Sequence, residues 1–181
     1  LTTGFRSEWK NTMESQLLAI SPKAKLLSVD YGKNPKDYQA APIKITFRYE
    51  IPDYALKGEK EMFFRPLVMN NLYNHGTLLL RIDTSLKERK YGFKDGCSRL
   101  VELDETIQLP AGYKLVSAVK DETMQGVGAD FEGSLVQKGN KVLLHNRLAL
   151  KKRVYEASDW ESFRNAVNAH KAYGEYLVIK K

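Results

Sequence analysis

The sequence predicts a mainly β fold, an antiparallel β-sandwich with one helix near each end packed against it. Three observations carry this reading. Between residues 25 and 150 apolar residues alternate with a period of two, whereas near the two ends they recur with a helical period. Turn residues rather than helices separate the successive strands, which implies antiparallel pairing. The chain has 181 residues, 43% hydrophobic and 28% charged, a globular balance long enough to bury a core without disulfides.

The N-terminal helix spans 1–22. Phe5, Trp9, Met13, Leu17 and Ile20 fall on one helical face, and Pro22 closes the helix from just beyond its end. Residues 25–31 form a first strand, and 32–42 carry Gly32, Asn34, Pro35 and Pro42, the chemistry of a turn. From Ile43 to Ile51 apolar and polar residues alternate strictly, as in a strand with one wet face. Pro52 stops it. Residues 61–69 read as another strand, placed at an edge or a bulge by Pro66. An Asn-rich loop follows at 70–76, then a short apolar strand at 77–82.

Residues 84–98 are polar and weakly patterned. Val101 to Leu109 alternates again, and LPAGY (109–113) supplies a Pro–x–Gly turn into a return strand, which together read as a hairpin. Glu105 falls on the apolar side of its strand, where a bulge accounts for it. Gly126 and Gly128 mark a loop. Strands at 131–137 and 141–150 flank Lys138-Gly139-Asn140 as a second hairpin. The C-terminal helix covers 158–170, with Ser158 and Glu161 as a capping box and Trp160, Phe163 and Val167 as the buried stripe. Residues 175–180 make the final strand. The strands from 25 to 150 and both helices then form one domain, with 70–76 as the alternative internal boundary. Trp9 and Trp160 anchor the two helices.

Lys and Arg exceed Asp and Glu by 29 to 22, a net charge of +7. The excess is scattered, and its tightest cluster is Lys151, Lys152 and Arg153. Nucleic-acid modules need converging basic groups beside stacking aromatics, so this distribution argues against a nucleic-acid partner. No apolar run is long enough for a membrane helix. The chain opens at Leu1 without a leader and reads as a piece of something larger.

Candidate chemistry is sparse. Cys97 lies in a turn between Lys94 and Arg99, and neighbouring cations favour a thiolate. A thiol nucleophile also needs a base, and nothing in the spacing assigns His75, His145 or His170 to that role. No two histidines have metal-ligand spacing, one cysteine excludes a multi-thiolate zinc site, and no cofactor motif is present, so neither a metal nor a cofactor is expected. His145 falls on the polar face of a strand. His170 sits near a helix C-terminus, where the dipole favours its charged form. Asp104 and Glu105 are strand neighbours and point to opposite faces. Tyr31, Tyr38, Tyr54, Tyr73 and Tyr91 lie in or beside loops, where tyrosines stack on sugars, fill a partner's pocket or cover the ends of a sandwich. The residues singled out for ligand or partner contact are Tyr54, Tyr73, Tyr91, Lys151, Lys152 and Arg153.

Several motifs occur in a familiar order: SPKAKLLSV (21–29), PIKITFRYEIPDYA (42–55), ELDETIQLPAGYKL (102–115), KGNKVLLHNRLALKKRVYEASDWESFRNAVN (138–168) and EYLVIKK (175–181). This series resembles the C-terminal region of bacterial transglutaminase-like proteins, which carry uncharacterised domains before and after their core. The resemblance covers most of the chain, and none of its motifs is catalytic. It implies a non-catalytic accessory β-domain. That domain would pack on, or present substrate to, an upstream domain of the same polypeptide. The parent protein would be periplasmic or at the cell surface. A glycan- or peptide-binding module of the bacterial envelope is the alternative. Two departures stand out: Tyr91-Gly92-Phe93 where a proline is expected, and Cys97, which has no counterpart. The triad of such enzymes needs a cysteine at a helix start, so no catalytic residue carries over.

Overall fold

The computed structural model describes residues 8–32, 44–69, 83–116, 119 and 121–181. The chain divides into two compact units, Leu1–Tyr54 and Ala55–Lys181. The alternative boundary at 70–76 and the strand expected at 77–82 lie outside the described residues.

The first unit holds α1 (Trp9–Leu18), β1 (Lys25–Asp30) and β2 (Thr46–Glu50). Trp9, Met13 and Leu17 are buried, as their spacing of four predicts. The Trp9 ring meets Tyr31 edge-on at 5.2 Å. β1 and β2 pair antiparallel, with Val29 opposite Phe47 and Leu26 opposite Tyr49. The register slips between Leu26 and Ser28, which turns Leu27 outward to solvent.

The second unit holds β3 (Leu56–Lys57), β4 (Glu61–Phe64), β5 (Phe93–Lys94), β6 (Arg99–Gln108), β7 (Lys114–Leu115), β8 (Glu122–Met124), β9 (Ala129–Lys138), β10 (Lys141–Leu150), β11 (Val154–Tyr155), α2 (Trp160–Ala172) and β12 (Leu177–Lys180). One four-stranded sheet runs β6-β10-β9-β8, another β3-β4-β12-β7, and β11 pairs with β5. All pairings are antiparallel. The mainly β class holds, with 41% of the described residues in strands and 18% in helices. The single sandwich does not emerge, because the described strands form four separate sheets.

The β9–β10 hairpin is as expected. Lys138 opposes Lys141, and Gly139-Asn140 is the two-residue loop. The other expected hairpin is not formed. The Pro110–Tyr113 turn exists, with Gly112 at φ +84° and the Tyr113 N–H donating to the Pro110 carbonyl. Its return strand, however, pairs with β12 rather than β6. The flank of β6 is taken by β10, which matches it residue for residue over its whole length. The LPAGY turn therefore carries the chain from one sheet to the other.

That continuous register also removes the bulge expected at Glu105, which sits directly opposite Leu144. Its half-buried carboxylate instead accepts hydrogen bonds from the Leu67 and Val68 N–H groups at 3.2 and 3.3 Å. An acid faces the core because two backbone amides satisfy it there. Pro66 lies beyond the end of β4, and β4 is an inner strand between β3 and β12, so the proline ends the strand rather than marking an edge.

α2 packs on β9 and β10. Its stripe is buried as expected: Trp160, Phe163 and Val167, joined by Ala166 and Tyr173. Gly133 on β9 makes room for this helix end, since a Cβ there would lie 2.5 Å from the Tyr173 ring. At the other end Phe93 stacks on Tyr155 at 4.7 Å and meets Trp160 and Phe163 edge-on. The short β5–β11 pair is thereby fastened to α2. The cap differs from expectation. A 3-10 turn at Ala157–Asp159 precedes the helix, and Asp159, not Glu161, reaches back to the Glu156 N–H at 2.9 Å. The extra turn moves the capping position towards the N-terminus, leaving Ser158 and Glu161 exposed.

Candidate functional site

The alternation of β10 sends His145 and Asn146 to opposite faces of the β6-β10-β9-β8 sheet. Asn146 points inward, fully buried, and its Oδ1 lies 2.6 Å from Nδ1 of His170 on α2. Burial, and secondarily Lys171, pushes the His170 pKa down to about 4. The helix dipole was expected to favour the charged imidazole, but desolvation outweighs it and the ring is neutral. This pair belongs to the core.

The outward face is polar. His145 Nδ1 lies 2.7 Å from Oδ1 of Asp104, its direct partner on β6. Glu102 is two residues along the same face. Donor atoms of Glu102, Asp104 and His145 all lie within 4.8 Å of one another. Arg147 stands opposite Glu102 on one side and Glu132 on the other. The metal-binding potential of this group was missed because its members come together only through the β6–β10 register. The signal that could have found it is the pair of acids at i and i+2 on a strand's wet face.

The other candidates are arranged differently. Cys97 is exposed, and the two described histidines are engaged elsewhere, His145 with Asp104 and His170 with Asn146. Arg99, expected beside the thiol, turns to Asp95 at 2.8 Å in a pair that is almost fully buried. His75 and Tyr73 lie outside the described residues, as does Tyr38.

The basic cluster does not present three free cations. Lys151 pairs with Asp130 at 2.7 Å and donates to the Gly126 carbonyl. Lys152 donates to both oxygens of Asp159, at 2.8 and 2.9 Å. These ammonium groups hold both carboxyls below their ordinary range. Arg153 is exposed, and its carbonyl accepts from the Asp95 N–H. Tyr54 is half-buried. Tyr91 is 73% exposed, the most open of the large apolar side chains among the described residues. The Lys90 ammonium lies over the Tyr91 ring at 5.8 Å, and the Arg89 guanidinium lies over both Phe93 and Trp160, at 4.8 and 4.9 Å.

A cleft of about 690 Å³ opens between the loop at Gly126 and Val127 and the start of α2. Ser162 lines it, but its hydroxyl donates to the Asp159 carbonyl and accepts from the Gly128 N–H. Its ionisable lining groups are Asp159, which is held by Lys152, and the exposed Glu161. Among the described residues no helix is long and apolar enough to cross a membrane.

No curated protein matches the sequence. A crystal structure described as that of a "putative protease", from Parabacteroides distasonis ATCC 8503, is similar in fold with a TM-score of 0.53 and 12% identity. The similarity covers 68% of this chain but only 24% of that one, so the chain spans about a quarter of that protein's length. Residues 60–178, nearly the whole second unit, match a family of unknown function with a solved structure, and the chain belongs to that family, DUF3858.

Proposed function

We propose that the DUF3858 unit is a non-catalytic accessory module of a larger, multidomain protein. It would pack on, or present substrate to, a catalytic domain elsewhere in the same polypeptide. The observation that carries this reading is the proportion of the structural likeness. The fold recurs as roughly a quarter of a larger protein whose description names a protease. The geometry agrees with it: neither described histidine reaches Cys97 as a base, each being hydrogen-bonded elsewhere. The order of sequence motifs favours a transglutaminase-like parent exported to the periplasm or cell surface.

The test is made on the polypeptide that carries this unit. The isolated chain should show no transamidase, protease or hydrolase turnover. Calorimetric titration into the separate catalytic domain should give binding with a negative heat-capacity change, the mark of buried apolar contact. Turnover by the isolated chain that disappears in Cys97→Ala would overturn the proposal.

A glycan- or peptide-binding role is the second reading. It rests on the exposed Tyr91 ring with the Lys90 ammonium over it, an amphipathic pair of the kind that stacks on sugars and peptides. Tyr91→Ala should then weaken retention on cell-wall fragments. Equal retention of both proteins would discard this reading.

A further inference from the structure

The geometry points to a divalent-cation site on the outward face of the β6-β10-β9-β8 sheet, built from Glu102, Asp104 and His145. Nothing in the accessory role requires it. The sheet register brings the three together. Asp104 and His145 are a directly opposed pair, and Glu102 follows at i−2 on the same face. Their donor atoms lie within 4.8 Å of one another. Two ligands each about 2.1 Å from a tetrahedral ion stand about 3.4 Å apart, so the widest pair must close by up to about 1.4 Å. Both carboxylates are exposed, which leaves them free to rotate that far.

The chemistry of the donors selects the ion. One imidazole nitrogen and two carboxylates suit Zn²⁺ and its neighbours better than Mg²⁺ or Ca²⁺, which take oxygen alone. The ion would take the place of the direct Asp104–His145 contact, and solvent water would complete its coordination.

The charges facing the site also favour a cation. This face gathers Glu102, Asp104, Glu132 and Asp130, on a chain whose net charge is +7. The cations on this face are Arg147, between Glu102 and Glu132, Lys151, which is paired with Asp130, and the exposed Lys138 and Lys141 at the hairpin end. Arg147 is therefore the competitor at the site itself.

The experiment is calorimetric titration of the whole chain with ZnCl₂, with Co²⁺ absorption as a second readout. One Zn²⁺ should bind per chain. His145→Ala should weaken binding at least about tenfold and abolish the Co²⁺ visible band. Asp104→Asn should also weaken it. Arg147→Gln should act in the opposite sense and tighten binding, since it removes the positive charge opposite Glu102. Glu132→Gln should change affinity less than Glu102→Gln. The three ligand residues are not in the core, and unchanged circular dichroism would confirm that their variants fold. Absence of binding at millimolar Zn²⁺ would overturn the site. So would equal affinity in the wild type and His145→Ala, since the ion would then lie elsewhere. Either result leaves the accessory role standing, because that is read from turnover and domain association.

Discussion

His145 and Asn146 are consecutive on β10, and each takes part in a short histidine hydrogen bond. The outward pair, His145 with Asp104, measures 2.7 Å, and the inward pair, His170 with Asn146, measures 2.6 Å. Their surroundings separate them. The side chain of Asp104 is 73% exposed, whereas Asn146 is fully buried and its Nδ2 has no partner among the described residues. On the inner face, packing sets protonation and ties α2 to the sheet. On the outer face the same kind of contact faces water and stays open to an ion. The inner face should therefore hold the fold, and the outer face should be available for binding.

The sharpest way to break this contrast is to remove an inner anchor. Trp160 is 2% exposed, packs against Phe93 and Phe163, and donates from Nε1 to the Leu86 carbonyl. Trp160→Ala should cost about 3–5 kcal/mol in chemical denaturation. A loss below about 1 kcal/mol would mean that α2 is peripheral to the fold.

The buried histidine makes a prediction about acid. Its folded pKa is about 4, against an ordinary value of 6.5. Below pH 6.5 the unfolded chain takes up a proton that the folded chain refuses until about pH 4. The contribution is thus fully present above pH 6.5 and is lost as pH falls to about 4, a total of about 3 kcal/mol. His170→Gln keeps a polar partner for Asn146 and removes the titration. Its stability should fall less steeply across this window. Parallel profiles for wild type and variant would place the acid sensitivity elsewhere.

A smaller effect is expected at Gly133. A Cβ there would lie 2.5 Å from the Tyr173 ring and 2.6 Å from that of Phe131. Gly133→Ala should cost about 1–3 kcal/mol, the range for overpacking a filled core. A neutral melting temperature would mean that the end of α2 can shift away from β9.

These inner contacts divide into those legible in the sequence and those that were not. Periodicity exposed both helix stripes, and Gly139-Asn140 marked the β9–β10 hairpin, because those signals are local. The partner of β6 was not legible. The LPAGY turn is a sound turn, but turn chemistry does not say which strand fills the neighbouring place. Glu105 looked like a break in alternation because its two amide donors arrive from residues 67 and 68. Lys151 and Lys152 looked like a free basic patch because Asp130 and Asp159 are distant in sequence. A proline was expected near residue 92, and at Gly92 itself the fold leaves no room for one: a Cβ there would lie 2.5 Å from the Tyr155 carbonyl oxygen. The outward triad shares this limit, being a product of register alone.

The smallest effect should come from that outward pair. An exposed cross-strand polar pair contributes little, since water solvates both partners in either state. His145→Ala should change stability by no more than about 0.5 kcal/mol. Asn146→Ala, one residue along, leaves His170 Nδ1 buried without its partner and should cost about 1–3 kcal/mol. Measured together in denaturant, these neighbours test the contrast directly. Equal losses would mean that the outer face is part of what holds the sheet. In that case the two acids beside His145 are structural ballast for the strand pairing rather than ligands waiting for an ion.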